Sequence, residues 1–136
     1  MPTSSLFQPP IFLQLAEAST ILLAGAGGGF DLFCGLPLYF ALRAMGKRVV
    51  LANYSFSSLD RSNAPQLQEA LYEIQPGIRA DLRYFPELHL AQWLAQVQQQ
   101  PQPIYAFARR GVRPILDAYQ CLVEELVEVW NHNRHA

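Results

Sequence analysis

Gly25, Gly27, Gly28 and Gly29 fall within five residues, and Asp31 follows two positions after the last of them. Glycine lets a backbone come close to a bound molecule, and N–H groups turned to one side attract an anion. The run follows a short apolar stretch, Ile21 to Gly25, and leads into a mostly apolar segment, Gly35 to Met45. Strand, glycine-rich turn and helix, in that order, is the context in which such a turn holds a phosphate. Negative charge at Asp31 works against a phosphate, so two roles are open to it. It can cap the helix start by accepting backbone N–H bonds. It can instead hold a ribose hydroxyl, a substrate amine or a Mg²⁺ ion beside the phosphates.

Two nucleotide motifs are excluded. A G-x-G-x-x-G fingerprint starting at Gly25 needs glycine where Phe30 stands. The acidic residue that grips a ribose after the second strand is also missing, because Asn53 and Ser55 occupy that place and Asp60 comes too late. No Gly-Lys-Ser/Thr occurs, so there is no P-loop. An undefined nucleotide or phosphorylated metabolite therefore fits better than NAD, and no particular cofactor or reaction is indicated.

Arg109 and Arg110 follow the apolar run "IYAFA" (residues 104–108) and can complete a phosphate or carboxylate clamp. Cys34 lies at a helix start, where a thiol pKa can fall, yet Phe33 and Leu36 beside it point to a buried, inert thiol. Cys121 reads the same way. Glu87 and His89 are two apart, a poor spacing for one helix face, and His132 and His135 lie in a polar tail. No metal site and no Ser/His/Asp arrangement is expected.

These groups need a scaffold. "VVLANYS" (residues 49–55) is a second strand, rich in β-branched residues. Ser62 or Asn63 can cap a helix with Pro65 in its first turn and Leu67, Leu71 and Ile74 along one face. Ile78, Ala80 and Leu82 alternate with charged residues, as in a half-exposed strand. Pro86 opens a helix to about Val97, "IYAFA" is a further strand, and Asp31 to Cys34 form a lead-in turn. A last helix carries Val112, Ile115, Leu116, Tyr119, Val123, Leu126, Val127 and Trp130 at spacings of three and four. Alternating strands and helices predict a doubly wound α/β domain with a mostly parallel, three- to four-stranded sheet flanked by helices. In such a sheet Gly25 to Asp31, Asn53 with Ser55, and Arg109 with Arg110 all sit at strand carboxyl ends and line one crevice.

The chain has 136 residues, 51% hydrophobic and 15% charged, with a formal net charge of -1, which suits one globular domain. That balance argues against general affinity for nucleic acid or anionic membrane. Without a basic leader or an apolar span, the reading is cytoplasmic.

The block "LLAGAGGGFDLFCGLPLYFALRAMGKRVVLANYSFS" (residues 22–57) resembles an uncharacterised Rossmann-like family, catalogued as a domain of unknown function, number eleven fifty-two. Tyr84 to Leu94 and Gly111 to Leu126 are similar to further segments of it. The resemblance implies a Rossmann-like fold and a crevice at the glycine–aspartate block, without an established activity. It also implies that these residues form the N-terminal half of an architecture about twice as long, with a second Gly-Gly-x-Asp loop completing the crevice. The alternative is a non-catalytic remnant or assembly module whose glycine turn is only architecture. With no strand after the last helix, an open sheet edge is expected at "IYAFA". The chain is then expected to pair with a second copy or with a separately encoded C-terminal half, or to aggregate.

Overall fold

A computed structural model describes residues 9–134, with side chains through residue 126. Most of the irregular arm that the sequence suggests at Met1 to Pro10, together with Val127, Trp130, His132 and His135 of the expected stripe and tail, falls outside those described side chains. The chain is an α/β domain. Its elements are α1 (Pro10–Glu17), β1 (Thr20–Gly25), α2 (Gly28–Cys34), α3 (Leu36–Ala44), β2 (Arg48–Tyr54), β3 (Gln66–Gln68), β4 (Leu71–Ile74), α4 (Pro86–Gln98), β5 (Ile104–Phe107) and α5 (Val112–Arg134). A short 3₁₀ turn covers Leu59–Arg61.

The sheet is open and five-stranded, in the order β1-β2-β5-β4-β3. β1 pairs with β2 and β2 with β5 in parallel. β5 pairs with β4 and β4 with β3 antiparallel. The sheet is therefore mixed, with one strand more than the sequence predicts.

The difference arises at residues 62–74. The expected helix there is a β3–β4 hairpin: Gln66 lies opposite Tyr72, and Leu71 and Ile74 lie opposite Phe107 and Ile104. Leu71 and Ile74 point to opposite faces of the sheet, and both are fully buried because helices cover both faces. The expected strand at residues 78–82 has no ladder. Ile78, Ala80 and Leu82 turn inward against the core from an extended loop, with one isolated bridge between Ser62 and Ala80. "IYAFA" is not an edge, since β5 is the central strand, paired on both sides.

Two cores result. Leu32, Tyr39, Leu42, Leu90 and Leu94, from α2, α3 and α4, pack on Ile21, Val49, Leu51, Ile104 and Ile74. On the other face Ala118 and Leu122 of α5 pack on Ala52, Phe107 and Leu71. The α5 stripe is thus rotated from the expected one: Val112, Leu116 and Val123 are exposed. α3 starts and stops as its sequence requires, with Pro37 in its first turn and Gly46 following it at φ +82°.

Candidate functional site

The parallel strands β1, β2 and β5 bring their carboxyl ends to one edge of the sheet, and there the sequence-predicted residues collect. They divide into an interior polar group, a packed glycine turn and an open arginine cleft.

The interior group is centred on Asn53, which pairs in register with Gly25. Asn53 and Ser55 do not line an open wall, because both are buried. Asn53 Nδ2 donates to Gly28 O at 3.1 Å and to Glu87 Oε1 at 3.1 Å. Ser57 Oγ donates to the other carboxylate oxygen, Glu87 Oε2, at 3.2 Å, and Ser57 N–H donates to Ser55 Oγ at 3.1 Å. Glu87 is fully buried at the start of α4. Both Asn53 Nδ2 and Ser57 Oγ donate to acceptors, so the amide orientation of Asn53 follows from its partners. Asn53 Oδ1 is left without a hydrogen-bond partner and lies over the Gly25 backbone. Only glycine at position 25 leaves room for it.

The glycine turn is filled from the same chain. A Cβ at Gly27 would come within 3.0 Å of the Phe56 ring, and one at Gly29 within 2.9 Å of Pro86. Gly28 has φ +69° and also abuts Phe56. The Gly29 N–H donates to the Tyr84 hydroxyl at 2.9 Å, so one donor that an anion would use is occupied. Residues 28–34 are helical, where a lead-in turn was expected. Gly27, not Asp31, holds the N-cap position, and Asp31 is an exposed residue in the first turn with no capping bond. Its negative charge there is favourable beside the partial positive charge of the helix start. Cys34 is exposed, contrary to the buried thiol expected, and Cys121 is half-buried.

Arg109 and Arg110 stand apart from the glycines. With Ser57, Ser58, Asp60 and Ala108 they line an open cleft of about 160 Å³ between the ends of β2 and β5. The Arg109 guanidinium carbon lies 5.5 Å from the centre of the Phe56 ring, which also abuts Gly27 and Gly28 and meets Tyr54 edge-on. Phe56 therefore joins the turn to the cleft and keeps the arginines from closing directly on the glycines. Phe56 is 46% exposed, Tyr84 49% and Phe30 81%, so three aromatic rings surround this edge. An aromatic face beside paired guanidinium groups can stack a planar ring and hold a phosphate or carboxylate.

The sequence reading missed the parts played by Glu87, Ser57, Phe56 and Tyr84. The signal for Glu87 was its spacing with Leu90, Ala91 and Leu94, which puts it on the buried face of α4. Among the described residues, no group of three or more His, Cys, Asp or Glu side chains gathers to hold a metal. No described helix is long and apolar enough to cross a membrane. Comparison with protein-family models, curated proteins and solved structures finds no match to this chain.

Proposed function

We propose that the chain is a Rossmann-like, doubly wound domain that binds a nucleotide or phosphorylated small molecule at the carboxyl edge of β1, β2 and β5. The observation that supports this is the half-exposed Phe56 ring with Arg109 over it, beside the cleft of Ser57, Ser58 and Arg110. In this reading the ring takes a base or another planar group, and Arg109 and Arg110 take the anion. Gly25, Gly27, Gly28 and Gly29 act one step back by seating Asn53, Phe56 and Pro86. Asp31, exposed on the outer rim, faces a polar group of the ligand. Asn53 and Ser55 hold the floor through Glu87 and Ser57. Membership of the domain-of-unknown-function family, a longer architecture completed by a C-terminal half, and a cytoplasmic location belong to the same proposal. No reaction is assigned.

A second reading has its own support. Each of Gly25, Gly27, Gly28 and Gly29 is accounted for by a side chain of the same chain, as expected if the turn is architecture in an assembly module. Thermal unfolding against nucleotides and phosphorylated metabolites separates the two, since a ligand that binds only the folded state raises the midpoint. The proposal expects a rise that the double variant Arg109→Ala, Arg110→Ala abolishes. A panel with no rise leaves the assembly module as the answer, and a rise that the double variant retains in full overturns binding at this crevice.

A further inference from the structure

A second cleft, larger than the one lined by Arg109 and Arg110, lies at the opposite end of the sheet. It encloses about 290 Å³ at the amino ends of β2 and β5, between the α3–β2 turn and the α4–β5 connection. Arg43, Lys47 and Arg48 line it, facing Gln98, Gln102 and Tyr105. The two stretches that build it come from parts of the chain free of acid: no Asp or Glu occurs from Leu32 to Leu59 or from Leu88 to Leu116.

Two of the cations are held in place by uncharged partners. Arg43 Nη1 donates to the Tyr39 hydroxyl at 2.9 Å and to Gln102 Oε1 at 2.8 Å. Gln98 Nε2 also donates to that hydroxyl at 2.9 Å, and Gln102 Nε2 donates to Val49 O at 2.8 Å. Lys47 Nζ donates to the carbonyls of Ala16 and Ala18, at 2.8 and 2.6 Å. These bonds fix the positions of two charges without neutralising either. Arg48 is exposed at the cleft. Among the described residues the ion pair is Arg113–Asp117, on α5, so these three cations have no carboxylate within salt-bridge distance. Glu73 and Glu125 act on Tyr105 but are not in the wall. Three like charges gathered around one concavity repel one another, and a bound anion relieves that repulsion. A guanidinium already oriented by its neighbours loses little freedom on binding.

We infer that this cleft, formed by Arg43, Lys47 and Arg48 with the Gln98 and Gln102 amides, binds the phosphate group of a small metabolite. The volume suits a compact ligand. The arginine forks match phosphate oxygens, and the glutamine amides brace Arg43 and Tyr39 beside them. This site is independent of the carboxyl-edge crevice, and either can exist without the other.

Calorimetric titration with inorganic phosphate, pyrophosphate and glycerol 3-phosphate tests the inference. At least one of these probes should bind saturably, and added salt should weaken it. Arg48→Gln should weaken binding roughly tenfold or more, as loss of a charge-assisted contact does. Arg43→Gln should do the same, while Arg79→Gln, an exposed arginine elsewhere, should leave binding unchanged. If Arg43→Gln fails to fold because Tyr39 loses a partner, Arg48→Gln decides alone. Saturable binding that survives Arg48→Gln overturns the site, and binding lost in the Arg109→Ala, Arg110→Ala variant assigns it to the crevice instead. An absence of binding to all three probes, or binding only to a polyanion such as single-stranded DNA or to anionic vesicles, also overturns it.

Discussion

Asn53 Oδ1 occupies the space above Gly25 that a side chain at position 25 would need. The two residues are register partners on β2 and β1, and the Asn53 amide cannot swing away without breaking its bonds to Gly28 O and Glu87. Gly25→Ala is therefore an overpacking change against a fixed neighbour, expected to cost about 2–3 kcal/mol. Urea unfolding of Gly25→Ala beside the parent chain measures it. A loss below about 0.5 kcal/mol would mean that Asn53 moves freely.

Glu87 should show a graded response. Glu87→Ala removes the acceptor of both Asn53 Nδ2 and Ser57 Oγ inside the core, and should cost about 3 kcal/mol from unsatisfied donors and a cavity. Glu87→Gln keeps the shape and one oxygen for Asn53, and its amide can donate to Ser57 Oγ, which also accepts. It should cost about 1 kcal/mol or less. Equal losses in the two variants would show that the negative charge, not the hydrogen-bond pattern, is what the site requires.

The contrast between Glu87 and the β3–β4 hairpin shows what the sequence carried. β1, β2, β5 and the helices around them were legible because short apolar runs bounded by glycine and a long amphipathic period leave few alternatives. At Leu67, Leu71 and Ile74 the same signals misled. A strand buried on both faces has no alternation, and three apolar residues at such spacings mimic a helix face. Residues 78–82 erred the other way: strict alternation records which side chains turn inward, and an extended loop packed on the core does that without a ladder. For the site, the strand ends carrying Gly25, Asn53 and Arg109 were placed correctly. That Asn53 turns inward while Phe56 fills the glycine turn depends on contacts between residues distant in sequence, which no local pattern encodes.

Asp31 now has a sharper expectation. Exposed in the first turn of α2 and without a capping bond, it contributes only through the helix dipole. Asp31→Asn and Asp31→Ala should each change stability by about 0.5 kcal/mol or less. A loss near 1 kcal/mol for Ala but not Asn would restore a capping role. Any change in ligand affinity at constant stability then reports on binding. Gly28→Val is less informative, because φ +69° and the contact with Phe56 make it a folding variant first.

Stability should fall at alkaline pH. Burial raises the pKa of Tyr105, with Glu73 and Glu125 adding to it and Arg48 opposing, and burial alone raises that of Tyr119. Burial, then Glu125 and Glu124, raises that of Cys121. A raised acid keeps its proton in the folded state while the unfolded chain releases it. The folded state then binds more protons, and stability declines with pH. The contribution is complete below the ordinary values of 9.0 for the thiol and 10.0 for the phenols, and is lost as pH rises through the raised ones. Thermal midpoints should hold near pH 8 and drop between about pH 9 and 11. Exposed Cys34 should react with iodoacetamide ahead of Cys121 in the native protein at pH 8. The reverse order would contradict the placement of both thiols.

Association should run through β1. The two edges of the sheet differ in how they are protected. β3 is three residues long with every side chain exposed, two of them glutamine, which is a poor template for another strand. β1 is six residues, Thr20 to Gly25, with no charge and no proline, and among the described residues it pairs only with β2. Beyond the sheet, α5 leaves Val112, Leu116 and Val123 exposed, with Val112 at 76%. A free apolar edge together with uncovered apolar helix residues favours pairing with a second copy, which two-fold symmetry would align antiparallel at β1. Sedimentation over a concentration series should show a reversible dimer. Ala24→Lys, which puts a charge on an exposed position of the edge strand, should shift the equilibrium to monomer without loss of fold. A parent chain that sediments as a monomer at every concentration would falsify self-association. A dimer untouched by Ala24→Lys but lost in Leu116→Ser would move the contact from the strand to the helix.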